Sequence, residues 1–120
     1  MSNQASELAQ RYIEIWNETD AARRRAAIDK LYTEDCTYCD PLAAVTGRAA
    51  IDGFIAGVQA QFPGAQFQLG GPVDAHHDQA RFVWHAGAPG GEPAAIGFDV
   101  MVLFGGRIRA IHGFLDKSPL

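Results

Sequence analysis

The chain changes its hydrophobic period at Pro63-Gly64. Before that point apolar residues recur every three or four positions; after it they fall in short extended runs broken by glycine-rich turns. Helices in one half and strands in the other predict an α+β fold, with the helices closing over one curved, mostly antiparallel sheet. A length of 120 residues is enough for one domain spanning 1–120 with a real core and no disulfide or metal staple.

Three helices are expected. Glu7 to Asn17, after Ser6, puts Leu8, Tyr12, Ile15 and Trp16 on one stripe. Thr19-Asp20 offers N-cap chemistry to a second helix, Ala21 to Tyr32, with Ala27, Ile28, Leu31 and Tyr32 facing inward. After a break at Thr33-Glu34-Asp35, Cys36 to Asp40 reads as a short strand stopped by Pro41. Thr46-Gly47 opens the third helix, Arg48 to Gln61, whose apolar face is Ile51, Phe54, Ile55, Val58 and Phe62. The extended half supplies candidate strands at Gln66 to Leu69, Val73 to His76, Gln79 to Ala86, Ala94 to Phe104 and Arg107 to Leu115. Gly105-Gly106 between two apolar runs is the clearest hairpin signal.

The run Ile96 to Leu103 is apolar on both parities: Phe98, Val100, Val102 and Phe104 on one side, Met101 and Leu103 on the other. A strand buried on both faces needs cover on both. Three helices cover the concave face alone, so the convex face is the expected surface of a homodimer.

Composition removes several classes of function. A formal charge of −4 leaves no basic stripe for nucleic acid, and the one basic run, Arg23-Arg24-Arg25, reads as a solvated helix face. No stretch is long and apolar enough to cross a bilayer, and the polar N-terminus lacks a signal-peptide core, which predicts a cytoplasmic protein without a membrane partner. Cys36 and Cys39 have no second pair to complete a metal knuckle. On a strand they point to opposite faces with Cα atoms roughly 10 Å apart, so both are expected as buried reduced thiols. His76-His77-Asp78 reads as a solvated turn lacking a third ligand, and Gly70-Gly71 and Gly90-Gly91 lack the Lys-Ser/Thr of a phosphate loop. No metal and no cofactor are expected.

Three residues carry candidate chemistry. Asp99 shares its strand face with Met101 and Leu103; it is either a carboxyl pushed towards the neutral, hydrogen-bond-donating form, or a carboxylate that caps a backbone turn or pairs with an Arg such as Arg109. Asp40, before Pro41, is either an Asx-turn residue or a side chain at a cavity mouth. Tyr12 is either plain core or a hydroxyl donor aimed inward.

The strings Gln10-Arg11-Tyr12-Ile13, Leu31-Tyr32-Thr33-Glu34-Asp35-Cys36-Thr37-Tyr38-Cys39-Asp40-Pro41 and Gly47-Arg48-Ala49-Ala50-Ile51-Asp52-Gly53-Phe54 resemble the ketosteroid isomerase branch of the nuclear transport factor 2-like superfamily. Gly97-Phe98-Asp99, Arg107-Ile108 and Gly113-Phe114-Leu115-Asp116 are similar to its SnoaL-like members. The resemblance implies a cone-shaped α+β domain, usually dimeric, with three N-terminal helices on a curved, mixed sheet and a pocket between them. By residue, it implies Asp40 as the general base of a cofactor-independent isomerase acting next to a ketone. Tyr12 and a protonated Asp99 would be the donors to the oxygen on which charge develops; the neutral aspartic acid donor is a known feature of those isomerases and is carried over from them. Ile55 stands where those isomerases carry a tyrosine, so a supporting hydroxyl must come from Tyr32 or Tyr38, and the loop from Asp40 to Gly47 is shorter than theirs.

The ligand implied is a small, flat, apolar carbonyl compound, with Trp16, Tyr32, Tyr38, Phe54, Val58, Phe82, Trp84, Met101 and Leu103 as substrate-binding walls. Two other readings stand beside the isomerase. A SnoaL-like polyketide cyclase or related lyase would use His112 as base, which requires that side chain in the pocket; Ile111 and Leu115 facing inward would turn it out. His85, next to Trp84, has the same ambiguity. A noncatalytic small-molecule binder would leave Asp40 and Asp99 facing water or salt-bridge partners.

Overall fold

The structure, a computed structural model, describes residues 2–119. Helix α1 (Ser2–Asn17) begins before the expected Ser6 boundary, and Ala5, Leu8, Ala9, Tyr12, Ile13, Ile15 and Trp16 are all buried along it. A helix apolar over so much of its circumference belongs between other layers and not on a surface. Asp20 caps α2 (Ala21–Leu31) by accepting from the Arg23 amide. Strand β1 (Tyr32–Cys39) follows directly, earlier than the Thr33-Glu34-Asp35 break predicted, because Tyr32, Cys36 and Tyr38 have a buried sheet face to fill. β2 (Ala44–Thr46), which the sequence pattern did not disclose, pairs antiparallel with it. α3 (Arg48–Gln61) matches its predicted bounds.

The sheet continues with β3 (Gln66–Leu69), β4 (Asp74–His76), β5 (Gln79–Gly87), β6 (Ala95–Phe104) and β7 (Arg107–Lys117). Its order is β2-β1-β7-β6-β5-β3, with β4 also on β5. Among the described residues only β1 and β7 pair parallel, so the sheet is mixed and mostly antiparallel. Gly105 and Gly106 both have positive φ and join β6 to β7 in the tight turn that the strand twist prefers. Two register shifts between these strands, after Ile96 and after Val102, bend them.

Alternation along β6 and β7 puts Asp99, Met101, Ile108, Ile111 and Gly113 under the helices and Phe98, Val100, His112 and Phe114 on the other face. Two expectations are corrected. Arg24 is not on a solvated face: it is 4% exposed, and its guanidinium donates to Asp52 Oδ1 (2.6 Å), Gln59 Oε1 (2.8 Å) and the Glu18 carbonyl (3.1 Å). A buried cation needs such partners, and here they tie α2 to α3 and to the end of α1. Cys36 is buried but Cys39 is exposed, since its parity on β1 is opposite to that of Tyr38.

Candidate active site

The α1 stripe brings Tyr12 over the centre of β6, where its hydroxyl donates to Asp99 Oδ2 at 2.6 Å in a buried contact. Asp99 Oδ1 accepts from the Trp84 indole at 3.1 Å. Burial pushes the Asp99 carboxyl up to about 6, helped by the nearby charge of Asp40, while the Tyr12 and Trp84 hydrogen bonds pull the other way. The desolvated Tyr12 hydroxyl, beside Asp99, is held well above the ordinary phenol range and stays a donor. Arg109 plays no part here; it faces Asp35 at 3.6 Å.

Asp40 follows β1 and lines the same cavity. It is also the turn residue of the alternative expectation: Oδ1 accepts from the amides of Leu42 (2.7 Å) and Ala43 (2.9 Å). Oδ2 accepts from the Tyr38 hydroxyl at 2.7 Å. The two carboxylic acids flank one backbone position. A Cβ built at Gly113 would lie 2.8 Å from Asp99 Oδ1 and 3.3 Å from Asp40 Cβ.

The cavity has a volume of about 180 Å³. Trp16, Tyr38, Phe54, Val58 and Trp84 line it, as do Phe62, Phe67 and Leu115, with Leu42 and Pro119 also on its wall. Asp40 and Asp99 are its only charged lining residues among those described. Tyr32, Phe82, Met101 and Leu103, expected as walls, are not on the lining. Tyr32, expected on the second helix, begins β1, while Phe82, Met101 and Leu103 are on the expected face but separated by depth along the strands from the cavity, which takes its β6 lining from Ala95 and Asp99. Phe82 instead packs edge-on against the Tyr12 ring, centroids 5.6 Å apart, and Tyr32 and Met101 are in the core. Neither tyrosine gives Tyr12 a supporting hydroxyl. That of Tyr38 is on Asp40, and that of Tyr32 is buried without a partner, as is the Trp16 indole nitrogen.

His112 is exposed on the convex face, and His85 shares the outward parity opposite Trp84. Sequence reasoning missed the two glycines that make room for the site. A side chain at Gly97 would strike the Trp84 ring and the Phe114 carbonyl, so glycine lets the indole cross to Asp99. Gly113 does the same for Asp99 itself, its cross-strand partner. A glycine inside a strand is the available signal for such close approach, but strand pairing is needed to say what approaches.

The family model of the SnoaL-like domain matches residues 9–111. A comparison with curated proteins gives no match. Among solved structures, a candidate isomerase of the SnoaL-like family from Agrobacterium tumefaciens is 38% identical, with 95% of this chain and 98% of that one covered and a TM-score of 0.91. A candidate ketosteroid isomerase from Kribbella flavida (22% identity, 97% and 80% covered, TM-score 0.73) shares the fold. So does a candidate SnoaL-like polyketide cyclase from Jannaschia (15% identity, 92% and 86% covered, TM-score 0.70). With its three helices on a mixed curved sheet and a family match over most of its length, the chain belongs to the SnoaL-like domain family.

Proposed function

We propose that the chain is a cofactor-independent isomerase that moves a proton next to a ketone on a small apolar substrate. One observation carries this reading: the Tyr12–Asp99 hydrogen-bonded pair and Asp40 stand on either side of Gly113 in one largely apolar cavity. Asp40 takes the proton from the carbon between the carbonyl and the double bond. The electron pair moves into the carbonyl to give a dienolate, and Asp40 returns the proton to the far alkene carbon, so that the double bond ends in conjugation. In the complex the Tyr12 O–H turns from Asp99 Oδ2 to the developing oxyanion, Asp99 protonated on Oδ2 donates to the same oxygen, and Trp84 anchors the other Asp99 oxygen. Among the described lining residues none is Lys, Arg or His, which disfavours an anionic substrate.

Three further points support this choice. His112 lies on the outer face, away from the position that the imidazole-based cyclase reading requires. A binder without chemistry gives no reason for a second carboxyl 3% exposed on the cavity floor. The candidate isomerase from Agrobacterium tumefaciens is similar over nearly the whole chain. The test is ultraviolet absorbance after mixing wild-type protein with a β,γ-unsaturated cyclic ketone. Conjugation above the buffer rate is expected; its absence across uncharged mono- and polycyclic ketones would remove the reading.

Assembly is part of the proposal. Phe98 and Phe114 stack on the convex face (4.9 Å, 13°), with Phe114 half exposed, and a second copy covering that face gives the homodimer. A monomer mass in light scattering at working concentration would contradict it.

A further inference from the structure

We propose that Tyr38 is the positioning residue of the base: its hydroxyl holds the Asp40 carboxylate in one orientation and makes Oδ2 the oxygen that carries the proton. This rests on the reading of Asp40 as the base.

A carboxylate offers about four lone-pair sites over its two oxygens. The Leu42 and Ala43 amides take both sites on Oδ1, and the Tyr38 hydroxyl takes one on Oδ2. One site is left, and it is on Oδ2. Turning the carboxylate about its Cβ–Cγ bond would break all three bonds at once, so the open site is fixed in direction.

Tyr38 is itself well fixed. Two residues apart at the end of β1, Tyr38 and Asp40 share a face. The Tyr38 ring is 5% exposed and packs between Phe54 (5.3 Å) and Trp16 (6.2 Å). Burial, followed by the charges of Asp99 and Asp40, pushes its hydroxyl far above the ordinary phenol range, which keeps it a donor at every working pH. A donor that never ionises gives the Asp40 carboxylate a permanent charge-assisted partner. The second carboxyl, Asp99, is deeper and is pushed towards its neutral form, so Tyr38 helps assign the base to one aspartate and the acid to the other.

The test observes ¹³C-labelled aspartate carboxyls at one fixed pH in wild type and Tyr38→Phe, beside steady-state kinetics. In the variant the Asp40 carboxyl signal should move while that of Asp99 stays, because Asp40 alone has lost a charge-assisted hydrogen bond. In parallel, kcat should fall at least about tenfold while KM stays within about twofold. A merely structural tyrosine would lower stability without moving the Asp40 signal, and that result overturns the proposal. If Tyr38→Phe does not fold, Tyr38→Leu serves the same measurement. A wild type that fails to conjugate the ketone but shows the Asp40 signal change removes the isomerase reading and keeps the coupling of Tyr38 to Asp40. An unmoved signal removes the coupling even in an active enzyme.

Discussion

Asp99 and Gly113 face each other across β6 and β7, and the Asp99 carboxyl lies where a Cβ at Gly113 would come within 2.8 Å of Oδ1. The absent side chain is what lets a buried carboxyl reach both the Tyr12 hydroxyl and the Trp84 indole. Gly113→Ala should therefore displace the carboxyl from Trp84. We expect a stability loss of about 1–3 kcal/mol, typical of overpacking, and a fall in kcat/KM on the order of a hundredfold. Urea unfolding and steady-state kinetics measure the two effects separately; unchanged kinetics would show that the position of Asp99 does not matter.

Asp99 also predicts a pH dependence. Its folded carboxyl is raised from 3.8 to about 6, so between those values the folded protein holds a proton that the unfolded chain has released. Stability from this group is therefore greatest below about pH 4 and falls as pH rises to about 6, by roughly 3 kcal/mol, then levels off. Asp99→Asn should remove that slope, seen as the difference between the urea-unfolding profiles of the two proteins. If protonated Asp99 is the donor, wild-type kcat/KM should also fall above about pH 6 by about tenfold per unit, and the variant should lack this limb at a lower ceiling.

Arg24 is far from the chemistry but joins the three helices that roof the cavity. Gln59, which lines the cavity, accepts from Arg24 and donates to the Trp16 and Glu18 carbonyls at 3.0 and 2.9 Å. Arg24→Met would leave Asp52 and the Gln59 amide oxygen without their donor, and the Glu18 carbonyl with Gln59 alone. Because Asp52 is partly exposed, the cost should be at the low end for a broken buried pair, about 2–3 kcal/mol in urea unfolding. A change under about 0.5 kcal/mol would mean that water replaces the guanidinium there.

The architecture was legible in the sequence where periodicity and packing agree. The Ile51–Phe54–Ile55–Val58 stripe predicted α3 end to end, and Gly105-Gly106 located the β6–β7 hairpin, because each is a local signal. β2 was hidden because Ala44-Val45-Thr46 is too short to show alternation and exists through its pairing with Tyr38 and Cys39. At the site, parity put Asp99 on the face of Met101 and Leu103, and it left the side of His112 to depend on whether Ile111 and Leu115 face inward. It did not show that Phe82, Met101 and Leu103 fall outside the lining, since depth along a strand depends on where the helices and the C-terminal segment end. Nor did it show that Arg24 is buried, which depends on acceptors 28 and 35 residues away.

The central claim is that Asp40 carries the proton, and Asp40→Asn tests it most directly. Asparagine keeps an oxygen for the Leu42 and Ala43 amides and leaves the Tyr38 hydroxyl a neighbour to bond, so the fold and ligand affinity should hold. The measurement is kcat for conjugation of a β,γ-unsaturated ketone by wild type and variant, with product binding measured alongside. A base at Asp40 predicts a loss of at least about a thousandfold in kcat with binding retained. Turnover within about tenfold of wild type would contradict it.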